Sequence, residues 1–322
     1  MSIALITGVT GQDGTYLSRA LLADGVEVHG IVRPDSRRPV ESGVVVHRAD
    51  MLDDGELARL VSELQPDELY HLAGQSSVAA SWDDPVGTVR QTAAPAAALL
   101  HAIAESSAHT RFVLASSAEI FGRAPAPQNE STPIAPLSPY GAAKALAHHL
   151  VSGYRERGVH ASSCILYNHE SPLRPERFVT RKITVAAARI ALRMQDTLTL
   201  GNLDAARDWG WAPDVVAALR LAAGHPAPGD YVIGTGELHT VREFVAEAFS
   251  AAGINDWEER VVIDESLLRP VDPPVQLADS SKARTELGWQ PTVQFAELVD
   301  RMVRNDLTLT EQSTDQATGT VT

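Results

Sequence analysis

The sequence predicts an α/β protein built on a doubly wound parallel sheet, with a smaller C-terminal substrate-binding domain. Three observations predict it. Short runs rich in β-branched residues alternate with Ala/Leu-rich stretches of helical length through the first half. A glycine pattern, Gly8-x-x-Gly11-x-x-Gly14, sits between the first such run and the first helical stretch. Farther on, Tyr140 and Lys144 stand one helical turn apart, downstream of Ser116-Ser117 at the end of the fifth run.

Taken in order, the expected strands are 3–7, 26–32, 44–49, 68–73, 112–116 and 163–167, with helices at 13–24, 54–64, 86–107 and 140–157 between them. Six strands joined by helical crossovers describe a dinucleotide-binding (Rossmann) sheet. Past Tyr167 the pattern loosens into a Pro-containing polar loop at 171–177, a helix at 178–194 and a short strand at 198–200. A helix at 212–223, a strand at 231–233, a helix opening at Thr240 and a closing pair at 280–287 and 294–306 follow. Residues 1–170 read as the dinucleotide domain, with segments returning to it near 207–235. The substrate lobe takes 171–206 and 236–309, and the polar tail 310–322 is expected to be disordered.

Composition excludes several classes. With 44% hydrophobic and 21% charged residues in 322, the chain can bury a sizeable core and is too apolar to be disordered. A formal charge of −14 repels nucleic acid at long range. The lone Cys164 cannot form an intrachain disulfide. The Ala/Leu-rich stretch 93–104 is broken by Pro95 and His101 and falls short of the roughly 20 apolar residues of a membrane span. The start reads as a first strand and not as a signal peptide. A soluble cytoplasmic protein is expected, with no metal site and no membrane or nucleic-acid partner.

The string Thr7-Gly8-Val9-Thr10-Gly11-Gln12-Asp13-Gly14 joins a strand to a helix start. Glycines there let backbone N–H groups approach a pyrophosphate, whose charge the helix N-terminus favours. At the end of the second strand an acidic residue would select the ribose of NAD. This chain has Arg33 there, with Arg37 and Arg38 behind it, so the 2′-phosphate of NADP fits better and NAD is the lesser alternative. Asp50 and Met51 after the third strand can flank the adenine. Leu72, Ala73 and Gln75 after the fourth can pass the cofactor phosphates and ribose.

Ser138-Pro139 opens a helix on which Tyr140 and Lys144 share a face. An ammonium there lowers the phenol pKa and lets the phenolate act as a base. Ligands of doubly wound sheets bind at the carboxyl ends of the strands, so Ser117 and Glu119 should face the crevice that receives Tyr140.

The combination of Gly8-x-x-Gly11-x-x-Gly14, Ser117 and Tyr140-x-x-x-Lys144 resembles the extended short-chain dehydrogenase/reductases, which act mostly on nucleotide-activated sugars. Longer strings at 4–14, 72–85, 168–182 (NHESPLRPERFVTRK), 201–210 and 236–245 resemble the GDP-mannose 4,6-dehydratase family up to about residue 307. The resemblance implies oxidation at C4 by hydride transfer to NADP, removal of the C5 proton by a carboxylate, loss of the C6 hydroxyl, and hydride return to C6. It places Glu119 as that carboxylate. It also implies that His169 and Arg174 touch NADP, and that Asn168, Glu170, Lys182, Arg207 and Arg269 hold the sugar or its diphosphate. Arg207 suits phosphate independently through its bidentate guanidinium, its alternative use being an ion pair with Asp208 or Asp204.

The chain departs from the family at Ala118, Leu173, Gly87, Arg90 and Pro95, and its loop after Arg33 is short. A homodimer is expected, paired through the helices at 86–107 and 140–157, with Ala142, Ala143 and Ala147 allowing close approach. Alternative readings are a nucleotide-sugar epimerase or 4-keto-sugar reductase on the same scaffold, or a silent nucleotide-sensing protein.

Overall fold

Parallel strands need crossovers, and the alternating runs supply them in chain order. The computed structural model describes residues 2–268 and 275–319, with side chains up to residue 313. The first half runs β1 (Ile3–Thr7), α1 (Gln12–Ala23), β2 (Glu27–Val32), β3 (Val45–Arg48), α2 (Asp54–Leu64), β4 (Glu68–His71), α3 (Ala80–Asp83), α4 (Pro85–Ser106), β5 (Arg111–Ser117), α5 (Pro139–Glu156) and β6 (Ala161–Leu166). The second runs β7 (Asn168–Glu170), α6 (Val179–Ala191), β8 (Leu198–Leu200), β9 (Ala206–Arg207), β10 (Trp209–Trp211), α7 (Ala212–Gly224) and β11 (Asp230–Ile233). It closes with β12 (His239–Thr240), α8 (Val241–Ala251), α9 (Trp257–Arg260), β13 (Val261–Ile263), β14 (Val275–Gln276), α10 (Ser281–Glu286) and α11 (Phe295–Gly319).

Seven parallel strands lie in the order β11-β6-β5-β4-β1-β2-β3. The order runs outward from β1 in both directions, so a crevice opens between β1 and β4 at their carboxyl ends. Alternate residues of β1 feed opposite faces. Ala4 and Ile6 pack with Leu17, Leu21, Val215 and Leu219 of α1 and α7. Leu5 packs with Leu57, Leu99 and Val151 of α2, α4 and α5. A separate core of Ile183, Phe244, Phe249, Leu298 and Met302 binds α6, α8 and α11 into the lobe beside the crevice.

Helix α4 runs through the buried Pro95, as the expected helix at 86–107 does, because packing along its length outweighs one missing N–H. One expectation changes. Ala143 and Ala147 face the chain's own interior, and Ala142 and Leu146 form the outward face of α5. Helix α11 extends past Thr310 to Gly319, and residues 320–322 lie outside the described part. With Met302 and Val303 anchored, further turns need no new nucleation, and 310–318 contain no Gly or Pro. Among the described residues no helix is long and apolar enough to cross a membrane.

Candidate active site

A cavity of about 510 Å³ opens at the carboxyl ends of β4, β5 and β6 and is walled on its far side by the lobe. Asp13, between Gly11 and Gly14, lines it, whereas the three glycines of the turn do not. Gly8 has φ +75°, and a Cβ there would lie 2.8 Å from Ala73 N; one at Gly14 would lie 2.4 Å from the Gly8 carbonyl oxygen. Only glycine lets this turn close against the loop after β4. Gly11, the N-cap of α1, has no side-chain capping bond, so the first turn of the helix keeps N–H donors suited to a pyrophosphate. Thr7 Oγ1 accepts a hydrogen bond from Ala73 N at 3.1 Å and fixes the loop whose Leu72 and Gln75 line the cavity. Ser116 Oγ on the sheet side and Trp209 Nε1 on the lobe side, both on residues that line the cavity, are buried without a hydrogen-bond partner among the described residues. The glycine cradle and these orphaned polar atoms fit a dinucleotide site.

Four side chains meet at the centre. Ser117 ends β5, and its hydroxyl accepts from Glu119 N at 3.3 Å, turning the chain so that Glu119 enters the cavity. Ser138 Oγ accepts from Gly141 N at 3.0 Å and starts α5 at Pro139, which places Tyr140 in its first turn. A Cβ at Gly141 would lie 2.6 Å from the Glu119 carbonyl, so glycine brings α5 against Glu119 and sets Tyr140 beside it. One turn later the buried Lys144 donates to the Ala115 carbonyl at 2.7 Å and lies 5.9 Å from the Tyr140 ring centroid. Gln276 Nε2 donates to Glu119 Oε1 at 3.4 Å.

The expected lowering of the tyrosine does not hold in the protein alone. Burial pushes Tyr140 up to about 12, and its hydrogen-bonding neighbour Ser117 pulls down less than burial lifts. Burial also pushes Lys144 down to about 8, against the attraction of Asp13. The ammonium is spent on the Ala115 carbonyl, and desolvation of the phenolate outweighs it.

On the cofactor side, Asp13 and His169 form an ion pair at 3.0 Å. His169 Nδ1 donates to the Tyr167 carbonyl at 2.7 Å, so a bond from Nε2 to a carboxylate requires the imidazolium. Burial alone would lower His169, but Asp13 carries it above the ordinary imidazole value. Burial would likewise raise Asp13, yet His169 holds it below the ordinary carboxylate value. Gln12 donates to the His169 carbonyl at 3.1 Å and accepts from Ser171 at 2.7 Å, locking the turn to β7 from outside the cavity. Arg174 lines the cavity, paired with Glu170 at 3.1 Å.

Asn168, Lys182 and Arg207 line the lobe side of the same cavity. Lys182 Nζ donates to the Thr199 carbonyl at 2.7 Å. Asp208 accepts from Thr235 N, Gly236 N and Ala278 N, and Asp204 pairs with Arg242, so both carboxylates named as alternative partners of Arg207 are engaged elsewhere. Glu170 does not reach the cavity. It is 1% exposed and accepts from Thr180 Oγ1 at 2.7 Å, because β7 packs this side chain under α6. Arg33 is exposed on the loop after β2, Asp50 caps its own turn through Leu52 N, and Met51 packs on the α2 core; none of the three lines the cavity. Arg269 lies outside the described residues. Sequence reasoning missed Arg177, Asn202, Leu267 and Leu268 as lining residues. Arg177 and Asn202 fall within the strings at 168–182 and 201–210, whereas the two leucines stand in a stretch without a motif.

A doubly wound sheet with Ser117, Tyr140 and Lys144 gathered at the carboxyl ends of its strands defines an enzyme of the extended short-chain dehydrogenase/reductase class. Within that class, the family model for GDP-mannose 4,6 dehydratase matches residues 5–302, and this chain belongs to that family. It is 44% identical over 329 residues to GDP-mannose 4,6 dehydratase 2 of Arabidopsis thaliana, covering 96% of this chain and 88% of the relative. Identity is also 44%, over 338 residues, to GDP-mannose 4,6-dehydratase of Sinorhizobium fredii (strain HH103), covering 95% and 96%. Among solved structures, the UDP-glucose 4-epimerase of Thermus thermophilus in complex with NAD superposes with a TM-score of 0.82 at 29% identity, covering 94% of this chain and 98% of that one. By family the chain is a nucleotide-sugar 4,6-dehydratase.

Proposed function

We propose that this chain converts GDP-mannose, or a closely related GDP-sugar, to the 4-keto-6-deoxy sugar with NADP as cofactor, as a cytoplasmic homodimer. The observation that carries this reading is a carboxylate, Glu119, in one cavity with Ser117, Tyr140 and Lys144. Oxidation at C4 needs only the last three; loss of water across C5 and C6 needs Glu119 as well. A nicotinamide dinucleotide bound there would supply a reversible acceptor for the C4 hydride, with Leu72, Gln75, His169 and Arg174 among the residues placed to hold it. Ser117 and Tyr140 orient the C4 hydroxyl, and Tyr140 takes its proton. Lys144 holds its charge on the tyrosine side through the Ala115 carbonyl. Once C4 is a ketone, the C5 hydrogen is acidic. Glu119 removes it as a proton, then returns that proton to the departing C6 oxygen, which leaves as water. When the hydride has returned to C6, C5 takes up one proton and Tyr140 gives up the one it took from the C4 hydroxyl, which restores the starting state. Lys182 and Arg207, on the lobe wall, supply the charge that a diphosphate requires.

NADP is favoured because β2 ends in Arg33 with Arg37 and Arg38 following, where an acidic residue would serve NAD. The dimer is supported by the adjacent outward faces of α4 and α5, on which Val86 is 71% and Leu146 46% exposed.

The reaction mixture, made alkaline, should develop the strong near-UV absorbance of a 4-keto-6-deoxy sugar. Glu119→Gln should lower that signal by about 100-fold or more while reduced nicotinamide still accumulates. Dehydration at the wild-type rate in this variant would remove Glu119 as the base. Absence of the signal with the wild type would favour the epimerase or reductase reading.

A further inference from the structure

The loop between β7 and α6 and the loop after β4 meet over the cofactor side of the cavity. Arg177 stands on the polar loop between β7 and α6, and Ser76 on the loop after β4; both line the cavity. Arg177 Nη2 donates to Ser76 Oγ at 3.1 Å, a bond between residues 101 apart that ties the lobe to the sheet. Arg177 is exposed, so a single bond of this kind does little for folding.

The surrounding charge gives it another use. Arg174 lies 3.8 Å and Arg177 4.9 Å from the Phe178 ring centroid, and the ring gathers both guanidinium groups on one wall. Partial burial, with Arg174 and Arg38 as like-charged neighbours, holds Arg177 below the ordinary arginine value. Arg38, on the loop after β2, is near enough to repel Arg177 but does not line the cavity; the cations on its wall here are Arg174 and Arg177. Glu170 answers Arg174 and Glu176 pairs with Arg189, and among the described residues no carboxylate forms an ion pair with Arg177. Such a convergence on a cavity wall is suited to a polyanion. A dinucleotide running from the glycine turn past the loop after β4 would pass beneath it.

We propose that Arg177, with Ser76, forms a phosphate-binding strap that closes the lobe loop over the bound dinucleotide and slows its release. This rests on the reading of the cavity as a dinucleotide site. It also suits the reaction, which returns its hydride to the same sugar and gains nothing by letting the cofactor leave between turnovers.

The test is release and equilibrium binding of NADPH and of NADH, followed by their fluorescence after rapid dilution of the loaded enzyme. Arg177→Gln should weaken binding and speed release about 10- to 100-fold, the loss expected for one charge-assisted contact. Ser76→Ala should speed release by less. A loss confined to NADPH assigns the 2′-phosphate as the group gripped; an equal loss for NADH assigns the pyrophosphate. Unchanged release of both dinucleotides from Arg177→Gln overturns the strap, as does a lowered melting temperature of the unliganded variant with release unchanged. Tighter wild-type binding of NADH than of NADPH would overturn the NADP preference drawn from Arg33, and the strap would still be read from NADH release.

Discussion

His71, at the end of β4, is 1% exposed and bonded through Nδ1 to the same Thr7 hydroxyl that holds Ala73. Burial, with the Lys144 charge adding to it, lowers this imidazole to about 3. The unfolded chain takes the proton near 6.5 and the folded chain does not, so unfolding becomes easier as pH falls from 6.5 toward 3. His71→Asn, neutral throughout, should therefore show a shallower loss of melting temperature between pH 6.5 and 5 than the wild type; parallel slopes would contradict this. At this scale the sequence supplies residue types and spacing but not burial. Ser117, Glu119, Tyr140 and Lys144 were legible because a strand end and a helix start fix where they point. The pKa of Tyr140 was not, because desolvation depends on segments far away in the chain. Glu170 was misread for a related reason: in a three-residue strand the face of each side chain is set by what packs on it, here α6 through Thr180.

Helix α6 is held to α11 by an ion pair between Arg181 and Asp306, the latter also accepting from Thr184 Oγ1 at 2.7 Å. Arg181 Nε donates to the Arg174 carbonyl at 3.2 Å, so the pair also braces the loop that carries Arg174. Asp306→Ala leaves a buried guanidinium without its counter-charge and should cost about 3–5 kcal/mol. Urea unfolding measures this, and a loss below about 1 kcal/mol would mean that water replaces the carboxylate. Ending the chain after Leu309, which is 48% exposed, should by contrast leave the midpoint nearly unchanged. Long elements were legible from their periods, as α2 at Asp54–Leu64 illustrates. Two-residue strands such as β9 and β12 have no period, and only the crossing of distant segments beside Arg207 creates them.

The doubly wound parallel sheet was legible at the scale of the whole molecule because helical crossovers between short strands admit few arrangements, and β11 joins as a seventh strand once α7 returns the chain to β6. Where the lobe stops and which surface meets a second copy depend on packing that no local pattern records. If α4 and α5 pair two copies, light scattering should give twice 34.5 kDa, and Leu146→Glu should return the mass to that of one chain. A monomeric wild type, or an unaffected variant, would place the interface elsewhere. The central claim is that one cavity takes a hydride from C4 and gives it back at C6 while Glu119 removes the C5 proton. It is tested most directly with GDP-mannose deuterated at C4, turned over in ordinary water without added reductant and analysed by nuclear magnetic resonance. The predicted product carries the deuterium on C6; deuterium found in water, left on released cofactor or retained at C4 would contradict the mechanism.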